Sequence, residues 1–327
     1  MKKNTRKFIF LLSFIFIFIL ISILISIFLI SPKATKVGTA FDKSQKVKDF
    51  GPHCDFKGKI IFQSNFDGDN EIYLMTNKGI QKLTDNTWED EYPVWSHDGK
   101  KIAFSSNEKG NFDIYIMNPD GTEITPITSS LEDERDPFWF PDDKTIGYTK
   151  EIKQFLRKTE VLFKLNINTK RTAKIIPNYS STHAIANHSP VAPLVVFTGK
   201  RRFGWDVGIY DVQQKEVKFL EEGGKSCRAR FSKDGKKLAY VSSKADGKGD
   251  IWLMNPDGSH KALLTKTTET YDYFPSWSPD GKHIVFNSSI QYSHSGDWKI
   301  CIIEVSTKKV FLLFDSPGND VFPDWHK

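Results

Sequence analysis

Several residues in this 327-residue chain have types and spacings that could do chemistry. Three residues before a recurring proline, or its equivalent, stand Asp90, Glu134, Asn187, Ser226, Asp272 and Asp320. One such position per repeat would make a ring at a channel mouth, four of its members acidic. It could hold a cation or a basic peptide end. The same side chains could instead cap loop backbone N–H groups, which is the commoner use. A basic cluster, Lys200, Arg201 and Arg202 with Phe203 and Trp205 beside it, and a second at Lys153, Arg157 and Lys158, could meet an acidic partner. Glu132-Asp133-Glu134 with Asp136, and Glu89-Asp90-Glu91, are the acidic counterparts.

Other chemistries find less support. His183, His188 and His294 could ligate a metal, although loop histidines are more often solvated. Asp67-Gly68-Asp69-Asn70-Glu71 fails the EF-hand pattern, with Ile72 at its sixth place and Lys78 at its twelfth. Cys54, Cys227 and Cys301 lack metal-type spacing and are expected as unpaired thiols rather than a disulfide. No Gly-x-Ser-x-Gly nucleophile elbow occurs. No catalytic residue, metal or cofactor is expected.

The charge pattern bears on partners. The net charge is +6, and residues 1–36 hold six basic groups and no acidic one. The excess therefore flanks a candidate membrane segment and is no argument for nucleic acid. Residues 58–143 carry 7 basic and 18 acidic groups, and residues 144–235 carry 18 and 8. This segregation predicts an acidic and a basic sector, of the kind that steers partners.

The elements that must position these groups repeat. Pro93-Val94-Trp95-Ser96-His97-Asp98-Gly99 recurs as Pro275-Ser276-Trp277-Ser278-Pro279-Asp280-Gly281, with a variant at Pro137–Asp143 and a weaker one at Ala229–Gly235. His188–Pro193 is read as a degenerate fourth entry, and Lys150–Glu160 as a long basic insertion in the third unit. β-type runs and tight Asp-Gly turns follow each motif. Residues 58–327 divide into six units averaging about 45 residues, the period of a propeller blade. The expected fold is all-β: a six-bladed β-propeller of four-stranded blades. Val321–Trp325 would complete the first blade and close the ring. Trp95, Trp139, Trp277 and Trp325 would pack between blades.

Residues 8–30 are 23 consecutive uncharged residues, twenty of them Phe, Ile or Leu. As a helix they would span a bilayer core. The expected organisation is a basic stub over 1–7, a transmembrane helix over 8–30, a tether over 31–57 and the propeller over 58–327. An uncleaved anchor fits better than a signal peptide, whose apolar run is shorter. The basic stub favours a single-pass protein with its propeller in the periplasm or outside the cell. The opposite orientation would make it a cytoplasmic scaffold.

The run Pro93–Gly99, the strand Ile102-Ala103-Phe104 and then Asp113-Ile114-Tyr115 resembles the TolB-like family of WD-like propeller repeats. The resemblance covers Gly58–Lys327 and omits the α/β domain that TolB carries before its propeller. It implies the propeller fold. Its members include binding proteins, peptidase propellers and polysaccharide lyases, so it does not transfer an activity. The favoured reading is a membrane-anchored, non-catalytic platform binding a protein or peptide on the loop face. The alternative is a carbohydrate-active or other hydrolase or lyase, with a metal or acidic site at the channel mouth.

Overall fold

The computed structural model describes residues 56–154, 157–177, 182–292 and 297–327. The expected transmembrane helix, most of the tether and Cys54 lie outside the described residues. Among the described residues no helix is long and apolar enough to cross a membrane.

Among the described residues twenty-four strands form six four-stranded sheets. Blade one contains β1 Lys59–Ser64, β2 Glu71–Thr76 and β3 Gly79–Lys82. Blade two contains β4 Asp90–Trp95, β5 Ile102–Ser106, β6 Asp113–Met117 and β7 Thr125–Pro126. Blade three contains β8 Glu134–Trp139, β9 Thr145–Gln154, β10 Arg157–Asn166 and β11 Thr172–Lys174. Blade four contains β12 His183–His188, β13 Leu194–Arg201, β14 Gly204–Asp211 and β15 Glu216–Phe219. Blade five contains β16 Ser226–Phe231, β17 Leu238–Ser242, β18 Asp250–Met254 and β19 Ala262–Leu263. Blade six contains β20 Tyr271–Trp277, β21 His283–Ser289, β22 Lys299–Glu304 and β23 Val310–Phe314. The last strand, β24 Asp320–His326, pairs antiparallel with β1 and completes blade one, as the repeat frame requires.

The second and third strands are buried on both sides, so they read as short unbroken apolar runs rather than alternating ones. Their side chains form six apolar clusters, each shared by two neighbouring blades. Trp95, Trp139, Trp277 and Trp325 lie one in each of four of these seams. Trp139 Nε1 donates to Val94 O of blade two at 3.3 Å, and Trp277 Nε1 to Arg230 O of blade five at 3.3 Å. These two indoles thus bury their rings and still satisfy their N–H groups, whereas the Trp95 N–H is buried without a partner.

Two features differ from the expected frame. The Lys150–Glu160 insertion is not a loop: β9 and β10 continue pairing out to Gln154 opposite Arg157. In blade four, Ala184 and Asn187 flank the register shift that Glu91 and Val94 flank in blade two. His183 therefore matches Asp90, and His188 matches Trp95. The misleading signal was Pro190, which follows Ser189 as Pro279 follows Ser278, whereas the true counterpart of Pro93 is Ala186. In the fourth seam His188 takes the tryptophan's place, its ring 4.5 Å from that of Phe140.

Candidate functional site

Every inner strand carries a β-bulge near its middle. The first bulge residue has positive φ in all six: Phe322, Tyr92, Asp136, Ile185, Arg228 and Phe274, at 54°, 56°, 53°, 47°, 56° and 54°. A non-glycine residue there costs roughly 1–2 kcal/mol. Six such residues, one per blade, place that strain around the channel. The bulge re-aims its side chain, and all six line the central hollows. Phe322 packs 4.3 Å from Tyr92 and 4.0 Å from Phe274 by ring centres, and the Arg228 guanidinium carbon lies 4.5 Å from the Phe274 ring.

The expected ring three residues before the proline has a different place. Asp90, Glu134, Asp272 and Asp320 are at most 2% exposed. Asn86 Nδ2 donates to Asp90 at 2.8 Å, and Lys150 Nζ to Glu134 at 3.1 Å. Ser288 Oγ donates to Asp272 at 2.6 Å, and Ser316 N to Asp320 at 2.7 Å. Ser226 Oγ accepts from Val207 N at 3.0 Å. These contacts lie inside the blade and its loops, while Asp90 Oδ1 and Glu134 Oε2 are buried without a hydrogen-bond partner. Asn187 is a correction: the bulge register takes it out of this ring. Its Oδ1 accepts from Phe231 N of blade five at 3.0 Å, as Asp324 accepts from Trp95 N of blade two at 2.8 Å. It is a strut between blades, and buried His183 holds the ring position. The channel-lining residues stand immediately before the motif proline. The repeat itself marks that position, and only the bulge explains why it faces the axis.

Above the bulge ring the loop face opens into two adjoining hollows of about 630 and 670 Å³, which share Tyr92, Arg135, Ile185, Arg228 and Tyr292. One wall is acidic, with Glu91, Asp133, Asp136, Glu151 and Glu160. Burial, reinforced by nearby Glu160, pushes the Asp136 carboxyl up to about 7 against the pull of Arg228 and Arg135. Burial also raises Glu91 and Glu160. Arg135 bridges this wall, 3.1 Å from Glu91 and 3.5 Å from Asp133, over the Phe112 ring. The opposite wall is aromatic, with Tyr273, Phe274, Tyr292 and Trp298.

The basic clusters sit on hairpins that rise from this same face. Lys200 and Arg201 end β13, and Arg202 and Phe203 form its turn. Lys200 Nζ lies 5.0 Å from the ring of Trp205, which lines the funnel. Arg201 lies over Phe219 and Arg202 over Phe203, a residue that is 77% exposed. Lys158 lines the funnel from the neighbouring hairpin and pairs with Glu151 at 3.1 Å, while Lys153 lies 3.8 Å from the same carboxylate.

The β13–β14 tip is seated against the blade four to five connection. Gly224 has φ +73°, and a Cβ there would lie 2.2 Å from Phe203 O. Gly224→Ala is expected to lift the hairpin and cost about 1–3 kcal/mol. Urea unfolding measures the cost, and faster proteolysis at Arg201 and Arg202 reports the lifted tip.

His183 and His188, named as possible metal ligands, are buried in blade packing. His183 is edge-on to Phe197, and His188 Nδ1 lies 2.6 Å from Ser189 O. His294 lies outside the described residues. Among the described residues no group of three or more His, Cys, Asp or Glu is arranged to hold a metal ion.

A family model, the TolB beta propeller domain, matches residues 24–204, more than half of the chain. The chain belongs to that family. It is 29% identical over 265 residues to dipeptidyl-peptidase 5 of Porphyromonas gingivalis, covering 76% of this chain and 36% of that protein. It is 22% identical over 291 residues to the Tol-Pal system protein TolB of Francisella tularensis subsp. mediasiatica, covering 74% of this chain and 65% of that one. The TolB structure from Acinetobacter baumannii aligns with a TM-score of 0.70 at 21% identity, over 83% of this chain and 67% of that chain. An oligogalacturonate lyase in complex with manganese aligns at 0.54 and 13% identity, over 78% and 73% of the two chains. The chain spans about a third of the peptidase relative's length. These structural likenesses establish the TolB-like propeller fold.

Proposed function

We propose that this TolB-like propeller is a membrane-anchored, non-catalytic platform that holds a protein or peptide partner on its loop face, outside the cytoplasm. The observation that carries the reading is the funnel. It is open to solvent on one face, floored by six strained bulge residues, and walled by carboxylates on one side and aromatic rings on the other. Aromatic anchors beside charged groups suit a peptide chain with mixed side chains. Likeness to TolB proteins supports a protein-binding role. The anchor rests on residues 8–30, and the orientation on the basic stub before them.

Asp90, Glu134, Asp272 and Asp320 serve this function by holding the loops that shape the rim. Lys200, Arg201 and Arg202 serve it by long-range attraction from an exposed hairpin. Reversing all three to Glu is expected to slow partner capture from membrane extracts at least tenfold at low salt, with a smaller effect at high salt. Capture unchanged at both ionic strengths would count against a role for this hairpin. The hydrolase or lyase alternative relied on His183, His188 or the acidic ring, and these side chains are buried, which favours the binding reading.

A further inference from the structure

Among the described residues three cations line the funnel, and two are already paired: Arg135 with Glu91 and Asp133, and Lys158 with Glu151. Arg228 differs. Its Nη1 lies 2.9 Å from Cys227 Sγ, and its guanidinium lies over the rings of Phe274 and Tyr273 at 4.5 and 5.0 Å. Its Nε is buried without a hydrogen-bond partner, and no carboxylate among the described residues is in ion-pair contact with it. A guanidinium stays charged under all ordinary conditions, and withdrawing it from water without a counter-charge in contact is costly; Asp136 attracts it only from beyond ion-pair distance. Here a positive-φ bulge and two aromatic faces hold that cost in place at the floor of an open hollow.

We propose that Arg228 is a preformed receptor for a carboxylate carried by the peptide partner. A carboxylate is planar and accepts two parallel N–H bonds, so it suits the Nε edge of a guanidinium whose other end is occupied. The facing wall of Glu91, Asp136 and Glu160 repels a free anion. It accepts one delivered on a chain that also brings N–H donors or a cation, which a peptide does. The carboxylate has two sources, an acidic side chain or a free C-terminus. The proposal rests on the funnel being the partner-binding face, and it is tested without the natural partner.

The test is calorimetric titration of the full-length chain in detergent with two pairs of short peptides. One pair is Ac-Gly-Asp-Tyr-Gly-amide against its Asn isostere. The other is Ac-Gly-Gly-Tyr-Gly with a free against an amidated C-terminus. The acid of at least one pair is expected to bind about tenfold or more tighter than its amide. The pair that shows the preference identifies the source. The ratio should fall to about one in Arg228→Gln and to an intermediate value in Arg228→Lys, which keeps the charge without the fork. It should be unchanged in Arg171→Gln, the same charge loss on the opposite face. Because Arg228→Gln removes an unpaired charge, it should melt at or above the wild-type temperature. Should it fail to fold, Arg228→Lys carries the comparison. Equal binding of acid and amide, no binding of either pair, or a preference that survives in both Arg228 variants would overturn the proposal. Partner capture that fails while the acid preference stands would defeat only the wider reading.

Discussion

Asp324→Ala is expected to lower the unfolding free energy by about 3–5 kcal/mol, the usual result of removing one partner from a buried charged network. Asp324 is on the strand that closes the ring, and it is 5% exposed. Its Oδ2 accepts from Trp95 N of blade two at 2.8 Å, and its Oδ1 from Ser276 Oγ of blade six at 2.8 Å. Arg230 of blade five approaches to 3.7 Å. One carboxylate therefore ties four blades at the closure. Removing it leaves the buried Trp95 N–H without its acceptor and an arginine without its counter-charge. Asp324→Asn keeps an acceptor and should cost about half as much. Urea unfolding of the three proteins decides the matter. Equal midpoints for wild type and Asp324→Ala would mean that the closure does not depend on this clamp.

The second large effect depends on pH. Burial pushes Asp320 up to about 7, with a minor contribution from Asp315 and against hydrogen bonds from Ser64 and Ser316. In the unfolded chain an aspartate titrates near 3.9. Between about pH 4 and pH 7 the folded state therefore binds more protons than the unfolded state, and stability falls as pH rises through that window. Above about pH 7 the full cost of a buried charge is present. Asp320→Asn can still accept from Ser316 N and never ionises. Its stability relative to wild type should be near zero or negative at pH 4.5 and should rise by on the order of 2–4 kcal/mol by pH 8. Thermal melts of both proteins across that range measure the difference, and a difference that does not change with pH would contradict the assignment. Asp136 and Asp250, also pushed up to about 7 with burial as the first cause, should show the same sign.

The architecture was legible because a propeller repeats its errors as well as its rules. The Trp-Ser-x-Asp-Gly spacing located the inner strands and turns of blades two and six, and its variants those of blades three and five. The incomplete first unit together with the spare Val321–Trp325 strand revealed the closure that β1 and β24 make. Outer strands are short. In blade two the outer strand is only Thr125–Pro126, because an edge strand has one ladder to hold it and Ile127 turns inward to pack. The bulge was not legible. Strict alternation puts the residues one and three before the proline on the same face. An extra residue in the ladder separates them, burying Asp90 and turning Tyr92 to the axis. Blade four was harder still. His188 replaces tryptophan, Ala186 replaces proline, and Pro190 offered a false anchor that moved Asn187 into a ring it does not join. The basic hairpins could be found from charge alone. Their nearness to an acidic and aromatic funnel could not, since it arises only when blades three to five meet.

The central claim, that the funnel face holds the partner, is tested most directly by site-specific photo-crosslinking. A photoreactive phenylalanine analogue replaces Tyr292 or Trp205 on the funnel, or Asp257 on a turn of the opposite face, in the full-length protein within the cells that make it. The account predicts one discrete adduct, shared by the two funnel positions and absent from position 257. Adducts from position 257 alone, or the same adducts from all three positions, would contradict it.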